Sequence, residues 1–174
     1  MKALILKENS VIKKILLTLL FLGISLGLPQ TLHFIPIGNL GRVLLPINFS
    51  VILASMILGV PTGLFLGIAS PLFSHLFFGM PTMMILPILM TECIFFGVIS
   101  GYLKNKIPNK FVVVILTLVL GLAMSFLVLF IGQIYFTNPN VMLLAGLVKS
   151  GVPGMVLQIL LIPILVDKLN NYIK

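Results

Sequence analysis

The sequence predicts an all-α membrane protein, a bundle of six transmembrane helices, and three observations predict it. Hydrophobic residues fill 60% of the 174 positions and charged residues only 8%, where a soluble domain would carry roughly a quarter charged. The mean hydropathy is +1.27, and the apolar residues fall in long runs near the ~20 residues that a bilayer span requires. Proline and glycine stand at nearly every boundary between runs, as turn chemistry demands. No stretch is long and polar enough to make a soluble domain. Residues 1–174 are therefore expected to form a single integral membrane domain.

The first span covers about 11–28. Lys2, Lys7, Lys13 and Lys14 precede its run Ile15 to Leu28 in the manner of a secretory signal, and Ser25-Leu26-Gly27 is a passable small-x-small cleavage site. Retention as an uncleaved span is the expectation. A semi-polar loop through His33, Asn39 and Arg42 leads to the second span, about 44–58, the shortest of the six. The tight turn Gly59-Val60-Pro61 separates it from the third, about 62–78. Gly79-Met80-Pro81-Thr82 then leads to the fourth, about 85–103. The polar linker from Lys104 to Lys110 precedes the fifth, about 111–136. After Thr137-Asn138-Pro139-Asn140 the sixth covers about 141–166 and ends in a polar tail.

Charge placement sets the expected orientation. With six spans both termini share a side with the 104–110 linker. Lys2, Lys7, Lys13, Lys14, Lys104, Lys106, Lys110, Lys168 and Lys174 all fall on that side, while the opposite loops hold only Arg42. The positive-inside rule then places both termini in the cytoplasm. The net charge of +8 has the same origin, because a nucleic-acid binder would need a solvent-facing basic patch. Nucleic acid is not an expected partner; the bilayer is.

Small residues recur four apart at Gly23/Gly27, Gly59/Gly63/Gly67, Gly97/Gly101 and Gly146/Ser150/Gly154. This spacing lets helix backbones approach closely. A stripe facing inward serves bundle packing, and one facing outward would serve docking of a partner.

Two charges break the apolar runs, Glu92 in the fourth span and Lys149 in the sixth. A charge inside a membrane is retained where it is paired, faces a cavity or acts on a ligand. At a rise of ~1.5 Å per residue, Glu92 lies ~10 Å and Lys149 ~12 Å from the outer ends of their spans. His75 and Asn48 lie ~6 Å, and Gln133 ~5 Å, from the outer ends of theirs. Five polar side chains on five spans thus share the outer half of the bilayer, while Gln158, at ~25 Å, lies near the inner face. Glu92 and Lys149 fit either a structural ion pair or a ligand cavity open to the outside. His75 is equally consistent with helix packing, and Asn48 and Gln133 with inter-helix hydrogen bonds.

Other chemistry lacks its residues. Lys149-Ser150 resembles the end of a phosphate loop, but Val148 stands where glycine is required. The chain has no H-E-x-x-H, and two histidines are too few for a zinc protease. Ser74 and His75 are neighbours on a helix and point ~100° apart, poor geometry for a nucleophile and its base. Met80, Met83, Met84 and Met90 could bind soft Cu(I), yet without a Cys or His cluster they suit flexible apolar lining. The single cysteine, Cys93, allows no intrachain disulfide. No cofactor or metal is expected.

The stretches LLPINFSVILASMILGVPTGLFLGIASPLFSHLFFGMP, ILPILMTECIFFGVISGYL and KSGVPGMVLQILLIPILV resemble substrate-binding (S) components of energy-coupling-factor vitamin transporters. The resemblance spans roughly residues 35–170 and is nearest to the pantothenate- and cobalamin-type members. It implies a six-helix bundle that captures a vitamin or related micronutrient on its outer side. It also implies a transmembrane coupling subunit and two ATPase subunits as partners that power import. Arg42, Asn48, His75, Glu92, Lys149 and Gln133 are the substrate-binding residues so implied, with the loops 29–43 and 79–84 covering the ligand. Many members carry alanines four apart where the coupling subunit docks on the first span; this chain has Gly23 and Gly27 there. The absence of tryptophan disfavours a thiamine-type pocket. Two rival functions remain: a small intramembrane enzyme using Glu92, His75 and Lys149 as acids and bases, and a structural or assembly protein whose ion pair fixes packing.

Overall fold

The computed structural model describes residues 2–33, 46–83, 85–135 and 141–173. Within these, the side chains of 2–10, 32–33, 129, 132–135, 141–145, 147–150 and 172–173 lie outside the described set. The described residues are all helix and turn. Six helices follow one another: α1 Lys2–His33, α2 Pro46–Leu58, α3 Val60–Phe78, α4 Leu86–Leu103, α5 Lys110–Tyr135 and α6 Val141–Ile173. Five are long and apolar enough to cross a membrane, and α2, at 13 residues, is a shorter apolar helix.

The helix boundaries match the apolar runs closely, with three differences. α1 begins at Lys2, ahead of its apolar run, and continues through Pro29 to His33, and α6 continues through the polar stretch after Val166 to Ile173. Hydropathy marks only where a helix meets lipid; the backbone goes on pairing with itself beyond that point wherever the residues permit. The tail of α6 is therefore helical, and α1 takes in the first residues of the segment expected as a loop before α2.

Chain direction alternates from helix to helix. Thr18 and Ser25 of α1 meet Thr62 and Ser70 of α3 in the same order along both helices, so α1 and α3 run parallel. Asn48 and Ser55 of α2 meet Cys93 and Gly97 of α4, again in parallel. Lys110, opening α5, pairs with Asp167 near the end of α6, so those two are antiparallel. Lys14, Lys104, Lys106, Lys110 and Lys168 consequently share one end of the bundle.

At the centre stands α2, against α1, α3, α4 and α6. Ten of its residues are buried, Pro46 to Met56 with the exception of Phe49. Around it the long helices turn apolar side chains outward: Leu16, Leu20, Phe77, Val119 and Leu160 are all more than half exposed. An apolar surface of that extent is untenable in water and is the ordinary surface of a helix bundle in lipid.

The closest approach in the bundle is between α3 and α4. A Cβ on Gly63 would collide with the Gly97 carbonyl and the Ser55 hydroxyl, and a Cβ on Gly97 would fall within the Gly63 backbone. One turn along, a Cβ on Gly67 would come within 2.8 Å of the Cys93 carbonyl. The stripes Gly63/Gly67 and Gly97/Gly101 are thus spent on internal packing. Ser55 of α2 ties into the same place by donating from its hydroxyl to the Gly97 carbonyl oxygen of α4. On the other side of α4 the ring of Phe96, fully buried, lies over Gly121 of α5, where no side chain would leave it room.

The lysine-rich end is closed by specific contacts. Lys104 Nζ donates to the Ile57 carbonyl oxygen over 3.1 Å and so caps the last turn of α2, where unpaired carbonyls and the negative helix end favour a cation. Burial holds this ammonium below the usual lysine range, and the nearby charge of Lys14 pushes the same way. The turn into α3 is made by Gly59 at φ 103°, a conformation that residues with a Cβ adopt only under strain.

Candidate functional site

Two of the polar residues picked out in the sequence come together deep in the bundle. Asn48 lies in the first turn of α2, with 1% of its surface exposed, and Glu92 lies in the middle of α4, with 7%. The Asn48 side chain lies beside the Glu92 carboxyl. Even so, Asn48 Nδ2 is buried and completes no hydrogen bond, so the amide influences the carboxyl from outside good hydrogen-bond geometry. On its other side Asn48 Oδ1 accepts from the Cys93 thiol, with Sγ 3.0 Å away. The result is a buried carboxyl next to an amide with an unused N–H pair. In a low-dielectric setting an unmade hydrogen bond of this kind is costly, which marks the place as one where a further polar group would be stabilised.

Local sequence explains the placement. Pro46 opens α2, where its missing N–H costs nothing, and puts Asn48 on the first turn. Gly67, pressed on the Cys93 carbonyl, brings α3 against α4 at the same level, which seals the cluster from that side. The Cys93 contact was not foreseen. Adjacency to Glu92 suggested nothing, because consecutive helix residues point ~100° apart; the register between α2 and α4 supplies the meeting.

His75 is used differently. It is half-buried near the end of α3, and its Nδ1 lies 2.7 Å from the Pro81 carbonyl oxygen. Since a carbonyl only accepts, Nδ1 carries the proton. The His75 backbone carbonyl also accepts from the Gly79 N–H over 2.8 Å, with Gly79 left-handed at φ 67°. Backbone and side chain of one residue thereby fold the α3–α4 loop back over its helix end.

The other expected site residues are placed less fully. Gln133 lies on α5 and Lys149 on α6, with side chains outside the described residues, as is the Glu92–Lys149 ion pair. Arg42 lies wholly outside them. Gly23 and Gly27 of α1 are exposed, and a Cβ at either would meet nothing within 4 Å. That stripe is on an open face, unlike those of α3 and α4. Gln158 is fully buried. Among the described residues there is no group of three or more His, Cys, Asp or Glu side chains that could hold a metal ion.

Fold and site together define the class: a multi-pass helical membrane protein with a polar cluster buried at mid-bundle. No protein-family model, curated protein or solved structure matches the chain. The functional reading therefore rests on the residues themselves.

Proposed function

We propose that this chain is the substrate-capture (S) component of an energy-coupling-factor importer in the cell membrane, binding a small polar or anionic vitamin. The observation that carries the reading is the buried Asn48–Glu92 pair with its unused amide N–H groups, set apart from the lysine-rich end. A polar place inside an apolar bundle suits a ligand that brings its own hydrogen-bonding groups. Arg42, His75, Gln133 and Lys149 are the further ligand contacts in this reading, and Lys149 would meet an anionic group. The exposed Gly23/Gly27 face of α1 is the docking surface for the coupling subunit, which with two ATPase subunits drives uptake. The chain acts as a binding protein and catalyses no reaction.

The deciding experiment is mass spectrometry of small molecules that co-purify with the detergent-solubilised protein. A vitamin or related micronutrient, released on denaturation in near-stoichiometric amount and rebound on titration, is the expected result. Purification with no such molecule, together with no binding across a vitamin panel, would remove the proposal.

Orientation follows from the lysines: the end carrying both termini and the 104–110 linker faces the cytoplasm. A cysteine replacing Asn109 is expected to resist an impermeant thiol reagent in intact cells, while one replacing Asn138, between α5 and α6, reacts. Cys93 is fully buried and adds no background. The reverse labelling pattern would invert the protein in the membrane.

A further inference from the structure

At the lysine-rich end, a groove of about 330 Å³ runs between α1 and α3 on the flank of the bundle. Its lining mixes two chemistries. Lys14 and the hydroxyl-bearing Thr18 and Thr62 supply polar groups, and Ile15, Leu19 and Phe65 supply apolar ones. These three apolar side chains are about half exposed, at 54%, 53% and 47%, so the groove opens sideways rather than into the bundle. Thr18 and Thr62 face each other across it, their oxygens 3.5 Å apart, while Thr18 also donates to the Lys14 carbonyl oxygen.

Among the described residues the charge at this place is unbalanced. No described carboxylate lies within ion-pairing distance of Lys14; the pair seen at this end is Lys110 with Asp167, on α5 and α6. Lys14 stands where α1 enters its apolar stretch, which begins at Val11, and its charge acts on Lys104 with the same sign. A lysine one turn inside a span extends its head towards the interface. That is the depth of the phosphates in the adjoining leaflet.

We propose that this groove binds an anionic phospholipid, its phosphate held by Lys14 with Thr18 and Thr62, and one acyl chain lying along Ile15, Leu19 and Phe65. Charge complementarity selects the headgroup: a phosphate that keeps a net negative charge offsets the Lys14 ammonium lining the groove, and a zwitterionic choline headgroup does not. The sideways opening and the apolar lining select a lipid over a soluble anion, which has no use for three aliphatic and aromatic walls. The site concerns the bundle's exterior and is independent of any cargo bound at Asn48 and Glu92.

The test is native mass spectrometry of the full chain released from nanodiscs made of equal parts phosphatidylglycerol and phosphatidylcholine. Wild type is expected to retain one phosphatidylglycerol in preference to phosphatidylcholine. Lys14→Gln should reduce that preference about fivefold, while Lys13→Gln, next to it on the helix, should leave it unchanged. Phe65→Ala should lower retention of the lipid without abolishing the headgroup preference. An equal effect of Lys13→Gln would mean diffuse surface charge and overturn the proposal, as would wild type showing no preference. Displacement of the lipid by millimolar inorganic phosphate would identify a soluble-anion site and overturn it too. So would loss, in Lys14→Gln, of a co-purifying protein with no change in lipid, since an acidic partner segment would then be the occupant.

Discussion

Gly97→Ala is expected to destabilise the bundle by about 3 kcal/mol or more, at the upper end of what overpacking costs. The new methyl group would fall within the Gly63 backbone, and backbone cannot swing aside as a side-chain end can. If α4 is the helix that gives way, its contacts with α2 are disturbed too, Ser55 on the Gly97 carbonyl and Cys93 on Asn48. Gly23→Ala supplies the control. Nothing lies within 4 Å of its Cβ, so the change should be neutral or stabilise by up to ~1 kcal/mol through helix propensity. Cys93 reports both outcomes. It is the only cysteine and fully buried, so a thiol-reactive fluorophore lights up only as the bundle opens on heating. Equal midpoints for Gly97→Ala and wild type would mean that α3 and α4 do not meet as described.

The second large effect concerns the charges at mid-bundle. Removing one of Glu92 and Lys149 leaves the other without its natural counter-charge if they pair, at a cost of ~3 kcal/mol or more. Glu92→Gln combined with Lys149→Met should relieve that cost and give a monodisperse protein. If the pair serves a ligand, folding returns and binding does not. The expected result is a well-behaved double mutant whose affinity for the co-purified vitamin is at least about tenfold weaker, or ~1.4 kcal/mol. Wild-type affinity in the double mutant would reduce both charges to scaffolding and move the search to Asn48, His75 and Arg42.

How much of this was legible from the sequence depends on the range of the interaction. Element positions were, because hydropathy and turn residues act locally: Gly59 and Gly79, expected at boundaries, sit at helix ends, where the structure gives both a positive φ. The proximity of Asn48 to Glu92 was legible only as similar depth. Spacing could not separate one glycine stripe from another. Gly63, Gly67, Gly97 and Gly101 are covered, while Gly23 and Gly27 are open, yet all show the same four-residue period. Which face of a helix meets a neighbour is decided by the other helices, and a single helix carries no record of it. The same holds for Lys104 on Ile57 and for Phe96 against Gly121, contacts that join residues 47 and 25 positions apart.

The shortness of α2 bears on how the chain enters the bilayer during synthesis. Thirteen residues rise about 20 Å, some 10 Å less than the hydrocarbon layer, so α2 alone would leave one end of its backbone stranded in lipid. Gly59 alone separates it from α3, which runs back in the opposite direction. The smallest piece that a translocation channel can release sideways is therefore the α2–α3 hairpin, delivered whole, with α1 already in place to cover one flank. α4, α5 and α6 then arrive around a centre that was committed to the membrane before they were made.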